Sequence, residues 1–339
     1  MRSPPVPGRV GGGTLRRWAG VIVTAMLALS AGRASAVAPA RPHPEQLAPS
    51  YPAVTTSVYE TNADPGRVWR QGCGAGRAAK SGIVILDWGR PAYRHGYGTI
   101  DFGGHFDQNA AIQRAMKAFA VGFAHCLPKG SRARISLARG TNNSCSNQDP
   151  VCCPHRCRHQ PPSFALAGRF WAKRVGALES FLKAKGLSSH IRASAADDAE
   201  PAWDPAYSNT FRFLKGYADM FGYTYAMWDF GSLDPGYWSP RQQYTVAYGL
   251  KPNMPVPEIF GAINAVQWEQ LDQWAVSHTG RQMRIYGVVT QWARGSKCGF
   301  KPRQGYDAML SQLQSDPRTW QPSIAALTNL ACKPPARRR

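Results

Sequence analysis

The residues best suited to chemistry are two acids, Asp198 and Glu200, separated by one alanine and followed by Pro201 and Trp203. They follow the strand-like run His190–Ala195. Side chains alternate along a strand, so residues i and i+2 share a face roughly 6–7 Å apart. Asp198 and Glu200 would then face one way and Asp197 the other. Glycoside hydrolysis uses two carboxyl groups at ~5 Å or ~6.5–9.5 Å, or one acid with a substrate amide.

Other polar residues close similar runs. Asp87 ends IVIL at Ile83–Leu86, Asn142 and Asn143 follow RISL at Arg134–Leu137, and Asp229 ends YTYAMW at Tyr223–Trp228. Glu258 lies in VPEIF at Val256–Phe260, and Gln291 follows Thr290 at the end of RIYGVVT, Arg284–Thr290. Strand ends meet solvent and are often polar for that reason alone, which accounts for one or two of these positions more easily than for six. Gathered on one rim, acids repel and desolvate one another, raising some pKa values and leaving others low. Of eleven tryptophans, Trp88, Trp203, Trp228, Trp238 and Trp292 lie at or just past strand ends, where rings can stack on sugar faces.

The segments that must position these residues alternate between two periods. Helical patterns run over Asp107–Leu127 (Ile112, Met116, Phe119, Phe123 apolar, with Asp107 as N-cap), Gly168–Lys185, Thr210–Phe221, Ala265–Val276 and Tyr306–Leu313. Strands read at Ile83, Arg134, His190, Tyr223, Tyr244–Tyr248 (YTVAY), Val256 and Arg284 make seven. Thr99–Phe102 or a segment near Ser57–Glu60 supplies the eighth. Alternating strands and helices predict a parallel sheet, and the count predicts a (β/α)8 TIM-like barrel, irregular after Asp229 and Tyr248, with disulfide-bridged loops. In such a barrel all the strand-end residues collect at the C-terminal rim. No Gly-x-Gly-x-x-Gly and no Walker sequence follows a strand, so nucleotide-binding versions are excluded and no cofactor is expected.

Composition bounds the rest. Arg2, Arg9, Arg16 and Arg17, then Val21–Gly32 and Ala34-Ser35-Ala36, have the layout of a cleavable signal peptide over residues 1–36. The chain is therefore expected to be secreted. The apolar part is shorter than the ~18 residues of a membrane helix, and no later stretch approaches that length. Residues 37–69 read as a Pro/Ala-rich linker or arm, 70–332 as one barrel domain, and 333–339 as a basic tail. The formal charge of +21 attracts polyanions. The expected partner is a polysaccharide or an anionic wall polymer; no nucleic-acid-binding spacing is present, and a monomer is expected. Eight cysteines, an even number in an exported chain, favour disulfides. The cluster from Cys152 to His159 matches no zinc spacing and reads as a stapled loop, so no metal is expected.

Gly82-Ile83-Val84-Ile85-Leu86-Asp87, with the later Asp198-x-Glu200, resembles the first-strand Asp and the Asp-x-Glu strand of the family 25 lysozymes and related glycoside-hydrolase-like barrels. Family 18 chitinases share the final Asp-x-Glu, but their preceding Asp falls on Ala196. Residues 82–292 also resemble a family of secreted actinobacterial proteins through Leu86-Asp87-Trp88-Gly89, Gly140-Thr141-Asn142-Asn143, Asp198-x-Glu200-Pro201-x-Trp203, Tyr248-Gly249, Pro257-Glu258-Ile259 and Thr290-Gln291. The lysozyme resemblance implies Glu200 as acid, with Asp198 and Asp87 positioning substrate and stabilising charge. Asp229, Glu258, Asn142, Gln291, Trp88, Trp203 and Trp228 would bind substrate around them. The strand spacing and the Cys145–Cys157 loop depart from the lysozyme pattern. A carbohydrate-active hydrolase and a non-catalytic glycan-binding barrel are both consistent with these residues.

Overall fold

The computed structural model describes residues 51–144, 159–222, 224–294 and 298–331. The segment read as a signal peptide, the cysteine-rich stretch before His159 and the residues read as a basic tail lie outside them. Along the chain come β1 (Val54–Tyr59), α1 (Pro65–Ala78), β2 (Gly82–Asp87), β3 (Arg90–Tyr93), β4 (Tyr97–Ile100), β5 (Phe106–Gln108) and α2 (Asn109–Cys126). Then follow β6 (Ile135–Asn142), α3 (Phe164–Ala184), β7 (Ile191–Asp198), α4 (Tyr207–Phe221), β8 (Met227–Asp229) and α5 (Pro240–Tyr244). The last elements are β9 (Asn253–Pro255), α6 (Ala262–Thr279), β10 (Gly287–Gln291), α7 (Pro302–Ser315) and β11 (Ala326–Leu330).

Eight strands form one sheet in the order β10-β11-β1-β2-β6-β7-β8-β9, every pair parallel. Its two ends meet. Tyr286 N donates to Pro255 O at 2.9 Å, Val289 N to Pro257 O at 2.9 Å, and Ile259 N to Val289 O at 2.8 Å. Glu258 bridges Val289 in parallel, so the sheet closes into a (β/α)8 barrel. Along β2, Ile83 and Ile85 point into the barrel, while Val84 and Leu86 pack outward against helices. Strands buried on both faces read as continuous apolar runs, which is why IVIL is so legible in the sequence.

Four expectations change. Tyr244–Tyr248 is helical, because Ser239 and Gln242 form a capping box with Pro240 in the first turn. The strand that replaces it in the count is β11, short and weakly patterned. The eighth strand, β1, lies inside the stretch read as linker, so the barrel begins at Val54. Tyr97–Ile100 belongs to a separate antiparallel sheet, β3-β4-β5. Asp107 lies in that sheet, and the N-cap of α2 is Gln108.

Two helix pairs cross through glycine. A Cβ on Gly72 of α1 would sit 2.1 Å from Phe119 O of α2, and one on Gly216 of α4 would sit 2.1 Å from Ala165 O of α3. The Cys73–Cys126 disulfide ties α1 to α2 across 53 residues, worth roughly 4 kcal/mol by chain entropy. Cys298 is disulfide-bonded as well. Alanine would improve helix propensity at Gly216 by ~1 kcal/mol, but the obstacle is backbone, and overpacking costs ~1–3 kcal/mol. Gly216→Ala is therefore expected to be net destabilising, by about 1–2 kcal/mol, as a lower urea midpoint; an unchanged or higher midpoint would show that α3 and α4 can separate freely.

Candidate active site

At the C-terminal rim the pleat decides who meets whom. Tyr59 pairs with Asp87, Asp87 with Gly140, Asn142 with Asp198, and Glu258 with Val289. These positions share the inward face with Ile85, Ala196, Val256 and Val289, and Phe230 closes the floor beneath them. Gln291, two residues beyond Val289, also falls on the inward face, half-buried.

Strand β7 ends at Asp198, so its pleat does not hold Glu200. Asn143 does. Its amide nitrogen donates to Glu200 O at 2.9 Å and to Thr210 Oγ1 at 3.2 Å, while its Oδ1 accepts from Glu200 N at 3.0 Å. One oxygen from each of Asp198, Glu200 and Glu258 then lies within 4.8 Å of the others. Asp198 is 0% exposed and Glu258 1%, whereas Glu200 is half-buried. Neither carboxyl oxygen of Asp198 has a hydrogen-bond partner, nor has Asp87 Oδ2. Tyr59 donates to Glu258 Oε1 at 3.5 Å, and its ring packs on Phe102 with centroids 4.4 Å apart. Asp87 Oδ1 accepts from Gly89 N at 2.9 Å, and the neighbouring Asn142 side chain works against the rise in the Asp87 pKa.

Among the described residues, no Lys, Arg or His lies within ion-pair distance of these four acids. Burial without a counter-charge favours the protonated form. Desolvation, then the neighbouring Glu258, Glu200 and Asp87, hold Asp198 well above the ordinary carboxylate range. Glu258 is raised well above it too, by desolvation and then Glu200 and Asp87. Glu200 is pushed up to about 7 by desolvation and Asp234, against hydrogen bonds from Ser232 and Glu258. Asp87 is raised to about 7, mainly by desolvation. The cluster titrates as a unit in which protons are shared. It can donate a proton from its most accessible member, or, because its donors are hard oxygens, hold a divalent cation; the sequence had pointed to no metal.

The remaining candidates stand elsewhere. Asp229 pairs with Asp197, on the outward face between the inward-facing Trp228 and Phe230, and is buried there. Trp88 is fully buried in the core between the barrel and its helices. The Trp228 indole points down the barrel, donating to Ser136 Oγ and Ser194 Oγ, each at 3.1 Å. Strand parity removes Asp229 and Trp88 from the rim, and the downward aim of its indole removes Trp228. Trp203 is half-buried in the loop after Glu200. Tyr59, Ser232 and Asp234 were missed: Tyr59 lay in the supposed arm, and the other two lie in a loop with no periodic signal.

No family model matches the chain, and no curated protein matches it. Solved structures do. A Bacteroides thetaiotaomicron VPI-5482 protein assigned as an alpha-L-fucosidase is 8% identical, over 83% of this chain and 85% of that one, with a TM-score of 0.40. The endo-1,4-beta-mannanase of Rhizomucor miehei is 8% identical over 82% and 85%, with a TM-score of 0.38. CJP38, a beta-1,3-glucanase and allergen of Cryptomeria japonica pollen, is 10% identical over 83% and 89%, with a TM-score of 0.30.

Proposed function

We propose that the chain is an exported glycoside hydrolase that acts on a cell-wall or environmental polysaccharide, with Glu200 as its general acid. The observation that carries this is the asymmetry of the carboxyl group cluster: Glu200 alone is half-open to solvent, pushed up to about 7, beside Asp198 and Glu258, which burial raises well above the ordinary carboxylate range. A general acid works best with a pKa near the operating pH. Glu200 would protonate the leaving glycosidic oxygen, while Asp198 positions the substrate and Asp87, raised only to about 7, supplies negative potential where positive charge develops on the sugar.

The test is incubation of the mature protein with peptidoglycan, chitin and common polysaccharides, reading new reducing ends. The nearest oxygens of the three acids, within 4.8 Å of one another, fall short of the ~6.5–9.5 Å that an inverting water needs. Products are therefore expected to keep the anomeric configuration. An ionised carboxylate of the cluster or a substrate amide attacks the anomeric carbon as the leaving oxygen takes the Glu200 proton, and water then releases the sugar. Proton NMR immediately after cleavage reads this; inverted product would place the working pair elsewhere. A non-catalytic glycan-binding barrel is the second reading, favoured by the complete burial of Asp198. It expects saturable glycan binding and no new reducing ends.

A further inference from the structure

The opposite end of the barrel holds a second polar site of contrary charge. On the inward face, β6 and the residue before it present Arg134 and Ser136, and β7 with the residue before it presents His190, Arg192 and Ser194. Register sets these side by side: Ser136 pairs with Arg192, and Ile135 N donates to His190 O at 2.8 Å. Together with the Trp228 indole they line a cavity of about 560 Å³ with no carboxylate in its wall. Its floor is a hydroxyl pair, Ser136 Oγ and Ser194 Oγ, 2.7 Å apart, capped by the Trp228 N–H. Ser188 Oγ, also on the wall, is buried without a partner. The guanidinium groups of Arg134 and Arg192 are exposed and make no ion pair among the described residues. His190 Nδ1 faces the carbonyl of Ala133 at 3.0 Å; a carbonyl only accepts, so Nδ1 carries the proton and Nε2 is left for a ligand.

We propose that this cavity binds a phosphate group, held by the two arginine forks and the serine hydroxyls. Guanidinium groups match tetrahedral oxyanions bidentately, and hydroxyls complete the donor set. The phosphate can be free or part of a phosphodiester polymer, since the mouth opens to solvent on the arginine side. The inference is independent of the carboxylate rim.

The experiment is calorimetric titration of the mature protein with inorganic phosphate at physiological ionic strength. Saturable one-to-one binding is expected, weakened about tenfold or more in Arg192→Gln and in Arg134→Gln. Arg114→Gln, an exposed arginine on α2 away from the cavity, and Glu200→Gln should bind as the wild type does. Each variant is checked for an unchanged melting temperature, which these solvent-facing arginines should allow. Ser194→Ala gives a second measure from within the cavity, with expected weakening. Competition by a glycerol phosphate oligomer would assign the site to a polymer, and its absence to free phosphate. Non-saturable binding, or equal weakening in Arg114→Gln and Arg192→Gln, would reduce the effect to general surface charge and overturn the proposal.

Discussion

Glu200→Gln is expected to lower turnover ~10²–10⁴-fold, the usual worth of general acid catalysis, while folding and sugar binding stay nearly intact. Gln keeps the shape of the side chain, and Asn143 holds residue 200 through its backbone, so the clamp survives the change. What disappears is the proton. Asp198→Asn should also impair turnover, through lost substrate positioning and lost proton sharing with Glu200 and Glu258. Asp197→Asn should leave turnover within a few-fold of wild type, because Asp197 pairs with Asp229 on the outward face. Rates on any polysaccharide that the wild type proves to cleave decide the matter. A dispensable Glu200 beside a critical Asp197 would sink the proposed site.

Thermal stability is expected to fall as pH rises from about 5 to about 8, in the direction opposite to a protein held by carboxylate ion pairs. Asp87, Glu200, Asp229 and Asp272 are each raised to about 7 in the folded state, with desolvation the largest cause. Their unfolded values lie near 4. Between those limits the folded chain binds more protons than the unfolded one, so stability falls with pH. The stabilisation is complete below about pH 4 and is lost as pH passes through about 7. For a fully buried group such as Asp229 the loss is on the order of a few kcal/mol. Asp198→Asn should then raise the melting temperature at pH 8 by a few degrees and flatten its pH dependence. The new amide can donate to neighbouring carboxylates where Asp198 had no partner. Such a variant would be more stable and less active, as expected where a site stores like charges. A lower melting temperature for Asp198→Asn at pH 8, or a profile that rises with pH, would mean that the acids are structurally paired.

Local features made much of this legible. The IVIL run, the helical period through Ile112, Met116, Phe119 and Phe123, and the polar residue closing each strand depend only on neighbours in sequence. From them the sequence by itself determined the barrel class and the rim positions of Asp87, Asn142 and Asp198. It could not show that YTVAY is helical, because a capping box at Ser239 and Gln242 outweighs the β-branched appearance of the next five residues. Nor could it choose which acids share a pocket. Glu258 reaches the cluster and Asp229 does not, because of strand parity on either side of Phe230 and the closing pairing of Glu258 with Val289. Glu200 is placed by Asn143, 57 residues away, and Tyr59 by a strand that looked like linker. Register and closure are long-range properties, set by packing around the whole barrel, so only the tertiary structure decided them.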